Sequence, residues 1–261
     1  MSQSALSRVL TYALVGLVLA FLILPIAIIV PMSFSDARFL SFPPRAYSLR
    51  WYEAFFTNPA WMGAARTSLS VALLATIVAT PIGIAAAYAI TYSSLRIMRV
   101  LRILLMLPLM VPIIIVAIGV FLVYAQIGLL SSVTGLVFAN TMLGIPFVVL
   151  AVTAGLQSFD HTQEMVARSL GMNRFRAFMT VTLPQIRPSV ISGAIFVFIS
   201  SLDETVVALF ISGGEVQTLT RRMFTALRDE IDPTIAAIST LLTVTSFALI
   251  MVIAAFQKKD R

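Results

Sequence analysis

The sequence predicts an all-α membrane protein with six transmembrane helices in one domain covering residues 1–261. Hydrophobic residues make up 59% of the chain and charged residues only 11%, whereas a soluble domain has roughly 25% charged residues. Long uncharged runs recur that can cross a bilayer core of ~30 Å. The chain has no cysteine and a single histidine, His161. Disulfides, thiol catalysis and a multi-histidine metal site are therefore excluded, and we expect neither a metal nor a cofactor.

Polar segments separate the six predicted spans. The first span is expected to be a retained helix, because its apolar run exceeds the ~7–15 residues of a signal-peptide core and contains Pro25 and Pro31. The second span is rich in alanine and threonine and is interrupted by Pro81 and Gly83. In chain order, the spans are predicted at 9–32, 67–92, 103–124, 133–156, 190–211 and 235–256.

An aromatic cluster lies between the first two spans. Aromatic side chains are enriched where membrane meets water, so we interpret this segment as a short helix on the outer interface; a ligand cage is the alternative. The cluster consists of Trp51, Tyr52, Phe55, Phe56 and Trp61.

Basic residues predict the orientation of the chain. Lys and Arg far outnumber Asp and Glu in the two termini, the linker after the second span and the central polar segment. The two numbers are nearly balanced in the segments expected on the opposite side. Because basic residues concentrate in the cytoplasm, both termini and a central loop at 157–188 are predicted to be cytoplasmic. The net charge of +7 therefore reflects topology and does not indicate nucleic-acid binding.

The central loop has the residues of two capped helices joined by a turn. Asp160 and Gln163 are spaced as in a capping box, and Gly171 suits a left-handed helix terminator. Asn173 can cap a second helix running to about residue 181, before Pro184. This pattern favours a compact docking surface over a plain linker.

Two consecutive acids, Asp203 and Glu204, lie in the predicted fifth span. Carboxylates at membrane depth usually face a bundle interior or a water-filled path. The pair could attract a cation in a translocation pathway. Alternatively, one or both acids pair with an arginine of another subunit or lie near the interface.

Sequence motifs of common enzymes are missing. The chain lacks the glycine-rich phosphate loop with its Gly-Lys-Ser/Thr ending, and it lacks the H-E-x-x-H and G-x-S-x-G motifs. We therefore expect a transport protein rather than an enzyme, with any ATP hydrolysis in a partner. An intramembrane enzyme is a weaker hypothesis.

The central loop resembles the cytoplasmic signature of permease subunits of binding-protein-dependent ABC importers, which reads E-A-A-x3-G-x9-I-x-L-P. Met165 and Val166 occupy the positions of the signature acid and first alanine, and Glu164 lies one place earlier. The segments SSLDETVVALFISGG and PIAIIVPMSFSDARF resemble the second permease of the spermidine/putrescine branch. The residues that fit the signature are Ala167, Gly171, Val181, Leu183 and Pro184.

The resemblance implies a type I importer permease fold in the bacterial inner membrane. It also implies a homologous permease partner, two cytoplasmic ATPase subunits and an extracytoplasmic substrate-binding protein. The implied substrate is a polyamine such as putrescine or spermidine, with opines, aminophosphonates or other small solutes as alternatives. A stand-alone secondary transporter or channel using the two acids is the competing function. The residues implied in ATPase coupling are Glu164, Ala167, Leu170, Gly171, Met172, Leu183 and Pro184.

Overall fold

The computed structural model describes residues 5–229 and 232–259, with side chains for 8–229 and 232–251. Within these residues the chain is helical apart from its connections and two isolated β-bridges. The predicted all-α class is therefore confirmed.

The helices are α1 Ala5–Ser33, α2 Arg50–Thr57, α3 Pro59–Tyr92, α4 Ile97–Met110, α5 Ile113–Ile127, α6 Val133–Ser158, α7 Thr162–Ser169, α8 Arg174–Ala177, α9 Leu183–Gln185, α10 Arg187–Asp203, α11 Val206–Ile211, α12 Leu219–Asp229 and α13 Thr234–Lys259. A π-helical turn, Phe178–Thr182, joins α8 to α9.

The number of described helices that could cross a membrane reaches the predicted six only if bent helix pairs are counted as spans. Among the described residues, four helices are each long and apolar enough to cross a membrane, and two bent helix pairs raise the number to six if each pair is one span. The four are α1 over Arg8–Ser33, α3, α6, and α13 over Thr234–Met251. The first bent pair, α4 with α5, corresponds to the predicted third span, whereas the second joins the end of the central loop to α10, which contains the first part of the predicted fifth span.

The predicted third span is not one straight helix. Helices α4 and α5 meet at 105°. Val111 between them is extended, with φ −87° and ψ 137°, because the ring of a proline disfavours helical geometry in the residue before it. Pro112 therefore ends the first segment, whereas Pro108 is accommodated inside α4.

The predicted interruption of the second span is also wrong. Helix α3 runs unbroken through Pro81 and begins at Pro59, earlier than predicted. Gly83 provides close packing instead of a break: a Cβ atom there would lie 2.5 Å from Cβ of Val148 in α6. The absence of a side chain at Gly83 therefore permits the close approach of α3 and α6.

Two compact units divide the chain. One contains the described residues within 1–62 and 225–245, and the other those within 63–224 and 246–261. In the first unit, the predicted short helix is present as α2, and Tyr52 shares a 2.8 Å hydrogen bond with Ser33. Phe55 and Trp61 are buried. The location of α2 at the membrane interface remains a prediction.

Helix α6 is the centre of the second unit. It packs against α10, and α11 packs against α5. A Cβ atom on Gly144 would lie 2.6 Å from Val197 of α10, so only glycine permits this approach. The long α6–α10 contact firmly holds the helix that follows the central loop.

Candidate coupling loop and acidic helix break

The first helix of the central loop is capped by Asp160. Its carboxylate accepts a 3.0 Å hydrogen bond from the backbone N–H of Thr162. Hydrogen bonds from the Thr162 side chain and backbone lower the pKa of the Asp160 carboxyl. The predicted capping box is not formed: the Asp160 carboxylate bonds the N–H of Thr162 and not that of Gln163, and Oε1 of Gln163 accepts a 2.6 Å hydrogen bond from Nε2 of Gln185. The glutamine therefore joins the two helices of the loop.

Gly171 terminates α7 as predicted. Its φ of +97° lies in the left-handed region that glycine tolerates. Its N–H donates to the Arg168 carbonyl at 3.0 Å, and the N–H of Met172 donates to the Ala167 carbonyl at 3.2 Å. These two bonds form a Schellman motif, which gives the turn a defined shape.

The second helical segment begins as predicted but continues past its predicted end. Asn173 caps α8 by accepting a 2.8 Å hydrogen bond from the N–H of Arg176. The segment then proceeds through the π turn to Gln185, so Pro184 does not end it. In the π turn, the N–H of Leu183 donates to the carbonyl of Phe178, five residues back. Pro184 has no backbone N–H to donate, and it lies within this helical segment without ending it. A 79° bend at Ile186 leads into α10.

The predicted coupling residues divide into outward and inward groups. Leu170 is 80% exposed at the tip of the loop, and Gly171 and Pro184 are also exposed. Met172 and Leu183 are half-buried. Ala167 and Glu164 are buried. A partner protein can therefore contact the outward group directly, whereas it has no access to Glu164 in this conformation.

Glu164 is bonded inside the chain. The Tyr88 hydroxyl of α3 donates to Oε1, and the Thr182 hydroxyl donates to Oε2 at 2.5 Å. His161 Nδ1 lies 3.9 Å from Oε2. The acid predicted for ATPase coupling thus joins the loop to the second membrane helix.

Apolar exposed residues extend the loop surface beyond the predicted set. Phe175 is 74% exposed, Val166 54% and Met179 44%. Phe175 and Met179 are four residues apart, so they lie on one face of the helical segment. The sequence signal that could have identified Phe175 and Met179 is their four-residue spacing, as apolar residues in a basic segment. The loop therefore presents a broad apolar surface, as protein interfaces often do.

A cavity of about 600 Å³ lies between α3 and the second helical segment. Its lining is almost entirely apolar, with Arg174 contributing a charged group. The Arg174 guanidinium lies over the Tyr88 ring at 5.0 Å, and its Nε donates to the Tyr88 hydroxyl oxygen at 3.2 Å. That hydrogen bond raises the pKa of Arg174 further. The lining residues are Pro81, Ile84, Ala85, Tyr88, Arg174, Phe175, Phe178, Met179 and Leu183.

The fifth predicted span breaks at its acidic pair. Helix α10 ends at Asp203, Glu204 has an extended ψ of 112°, and α11 starts at Val206. The prediction of a continuous helix over 190–211 is therefore wrong. The two acids therefore do not lie on one continuous helix.

Glu204 caps the short helix that follows the break. Its carboxylate oxygens accept hydrogen bonds from the backbone N–H groups of Val207 and Ala208, at 2.7 and 2.9 Å. These donors would otherwise lack partners in the first turn, and a negative charge favours a helix N-terminus. The Glu204 carbonyl also accepts a 2.9 Å hydrogen bond from the Thr220 hydroxyl. Glu204 therefore stabilises the break.

A basic residue stabilises the other end of α11. Arg221 Nη1 donates to the Ser212 hydroxyl at 2.9 Å and approaches the Ala208 carbonyl at 3.4 Å. A cation is favourable at a helix C-terminus. Desolvation lowers the pKa of Arg221. The six-residue helix is thus held at both ends by charged side chains, and Val207 and Ile211 anchor it in the core.

Asp203 differs from its neighbour. It is exposed at the C-terminal end of α10, and within the described part of the chain no side-chain hydrogen bond or ion pair engages its carboxylate. The described residues contain no cluster of three potential metal-ligating His, Cys, Asp or Glu side chains. Asp203 is therefore the member of the predicted pair whose charge is available to a ligand.

The described residues form a helical membrane domain with a capped loop and a broken, acid-bearing helix, an arrangement suited to a transport permease. The chain belongs to the family of binding-protein-dependent transport system inner membrane components, whose sequence profile matches residues 79–259. The resemblance found in the loop is thereby confirmed. The protein is a multi-pass inner-membrane transport component and not an enzyme.

Characterised relatives cover most of the chain. It is 29% identical over 249 residues to the spermidine/putrescine transport system permease protein PotC of Haemophilus influenzae, covering 95% of this chain and 96% of that protein. It is 29% identical over 232 residues to the putrescine transport system permease protein PotI of Escherichia coli, covering 85% and 81%. The molybdenum transport system permease protein ModB of Mycobacterium bovis is 28% identical, covering 82% and 87%.

Solved structures confirm the importer permease fold. A chain of a bacterial ABC transporter that imports alginate matches with a TM-score of 0.71 and 15% identity, covering 99% of both chains. A chain of an amino acid ABC transporter matches with a TM-score of 0.59 and 19% identity, covering 80% of this chain and 98% of that one. At these identities the likeness concerns the fold alone.

Proposed function

We propose that this chain is one of two homologous permease subunits of an ATP-driven importer and forms half of the pathway for a small cationic solute of the polyamine class. The relatives PotC and PotI are named for spermidine/putrescine and putrescine transport. The exposed Asp203 carboxylate is suited to a protonated amine. The relative ModB is named for molybdenum transport, and the alternative substrates for this chain are opines, aminophosphonates or other small solutes.

The observation that carries this proposal is the position of α10. It begins directly after the central loop and ends at Asp203. Its 17 residues correspond to roughly 25 Å at the rise of an α-helix. Displacement of the loop by a partner would therefore be passed along one helix to the acidic break.

The proposed assembly contains a second permease, two ATPase subunits and an extracytoplasmic substrate-binding protein, surrounded by membrane lipid. The loop at 157–188 and both termini would face the cytoplasm, consistent with the basic residues on that side. Leu170, Gly171, Met172, Leu183 and Pro184 would contribute to the ATPase contact. Ala167 and Glu164 would support that surface from within.

The test is reconstitution of the whole transporter in proteoliposomes. Uptake of labelled putrescine is measured with and without the binding protein, with and without internal ATP, and in the presence of a protonophore. We expect uptake that needs ATP and the binding protein and survives the protonophore. Competition by excess spermidine, an opine or an aminophosphonate then assigns the substrate class.

A stand-alone secondary transporter gives a different result. Uptake by this chain alone, driven by an ion gradient and abolished by the protonophore, would overturn the importer proposal. ATP-driven uptake competed by an aminophosphonate but not by spermidine would retain the importer and overturn the polyamine assignment.

A further inference from the structure

The buried acid beneath the loop has a role that docking does not explain. Glu164 has no exposed surface, so an ATPase that binds the outside of the loop does not touch it. Met165, at the position where the family signature has its acid, is 49% exposed. An exposed apolar side chain and a buried carboxylate thus occupy adjacent positions, and they face different surroundings.

Three segments meet at the Glu164 carboxylate. Tyr88 comes from α3, Glu164 from α7 and Thr182 from the π turn. An ionised carboxylate only accepts hydrogen bonds, so both hydroxyls must donate to it. Arg174 in turn donates to the Tyr88 oxygen. The result is a continuous polar chain that joins the second membrane helix to both halves of the loop.

Aromatic packing reinforces the same junction. The Tyr88 ring lies 5.0 Å from the Phe178 ring in an edge-on arrangement, and the Tyr92 ring stacks on His161 at 4.0 Å. A charged group that loses its partners when buried is costly. The loop therefore cannot separate from α3 without exposing or orphaning the Glu164 carboxylate.

We propose that Glu164 is a positioning residue that makes the loop and the second membrane helix move as one body, through Tyr88 and Thr182. The inference rests on the proposed function, because it assigns a route for motion within the importer. ATPase binding would use the outer surface. The buried junction would transmit the resulting displacement to α3 in addition to the direct path along α10.

The test compares two tyrosines on one face of α3 in the complete, reconstituted transporter. Tyr88→Phe removes the hydroxyl that bonds Glu164. Tyr92→Phe, one turn along, removes a hydroxyl that instead donates to the Leu156 carbonyl at 3.2 Å. We expect Tyr88→Phe to lower the solute imported per ATP hydrolysed about tenfold, since a bond to a buried charge is lost. Tyr92→Phe should leave that ratio within about twofold, because the hydroxyl that it removes does not bond Glu164.

A second matched pair covers the case in which Tyr88→Phe does not yield folded protein. Thr182→Val removes the other donor to Glu164. Thr180→Val removes an exposed hydroxyl that bonds the Arg176 carbonyl at 2.7 Å and Met172 Sδ at 3.7 Å, and does not contact Glu164. We expect a lower import-to-hydrolysis ratio for Thr182→Val only. Glu164→Gln combined with Tyr88→Phe should lose no more than the larger single effect, because both changes break the same junction.

The outcomes separate the inference from the proposed function. Wild-type complex without ATP-driven uptake overturns the proposed function. If the wild type shows ATP-driven uptake and the two variants of each pair have the same import-to-hydrolysis ratio, only the positioning role is overturned. Loss of ATPase co-purification in Tyr88→Phe or Thr182→Val also overturns it, because the junction would then serve docking. A lowered ratio in a fully assembled complex supports it.

Discussion

Glu164 in the central loop and Glu204 in the broken fifth span use their carboxylates in different ways. Glu164 is held by side-chain hydroxyls from distant segments, whereas Glu204 is held by backbone N–H groups of the next helical turn. In both places the adjacent residue, Met165 or Asp203, is exposed. The long-range bonds of Glu164 can transmit motion between segments of the chain. The local cap formed by Glu204 fixes the conformation of a single segment. The exposed neighbour is then the residue available to a partner or ligand.

The largest effect should come from the outer surface of the loop. Gly171→Asp places a side chain at φ +97°, where non-glycine residues are strained by about 1–2 kcal/mol, and adds a negative charge to the tip. We expect loss of ATPase co-purification while membrane insertion remains normal. This result would separate the docking surface from the buried Glu164 junction.

Gly171→Ala is the matched control, because it introduces the strain without the charge. No atom lies within 4 Å of a Cβ built there, so steric overlap does not contribute. We expect an intermediate loss of co-purification. Normal ATP-driven uptake by Gly171→Asp would refute the role of the turn in docking.

A smaller effect should distinguish the two acids at the helix break. Asp203→Asn removes the free charge, and we expect about tenfold less uptake of a dicationic solute because the lost attraction acts at close range. Glu204→Gln weakens a helix cap, and we expect a stability loss of about 1 kcal/mol with uptake reduced less than in Asp203→Asn. Uptake kinetics and thermal unfolding in detergent measure the two effects.

The double substitution Asp203→Asn with Glu204→Gln completes this test. If the acids act separately, the two reductions in uptake should multiply in the double variant, and its stability should match that of Glu204→Gln. Unchanged uptake in Asp203→Asn would return Asp203 to a purely structural interpretation. A larger uptake loss in Glu204→Gln than in Asp203→Asn would reverse the assignment.

The smallest effect should be the pH dependence of the loop cap. The pKa of Asp160 is lowered in the folded chain, so its contribution to stability is present above the ordinary aspartate pKa and is lost as pH falls through the lowered value. We expect the protection of the Thr162 amide from hydrogen exchange, measured relative to an unstructured peptide at the same pH, to fall in that acidic range. Asp160→Asn should remove the pH dependence, and an unchanged profile in that variant would show that Asp160 is not its source.

Local patterns in the sequence predicted local structure well. Asn173 and Gly171 cap and end helices as predicted, because capping depends on a few neighbouring residues. The spans were found from apolar runs, but their breaks were not. Pro81 and Pro112 have the same backbone chemistry, yet only the second coincides with a sharp bend, since tertiary packing decides whether a membrane helix tolerates proline.

The contacts of the candidate site depend on residues far apart in the chain. Tyr88 precedes Glu164 by 76 positions, and no spacing rule connects them. The sequence located Glu164 but suggested an outward role through the family signature. Its burial could be recognised only from the packed structure, as could the difference between Asp203 and Glu204.

The bonding of Glu164 also fixes an order of assembly. Tyr88 is synthesised well before Glu164, whereas Thr182 follows it by 18 positions, and chains emerge from the ribosome N-terminus first. The carboxylate therefore acquires its second donor only as the fifth span begins to emerge. The junction between the loop and α3 is therefore completed late in synthesis.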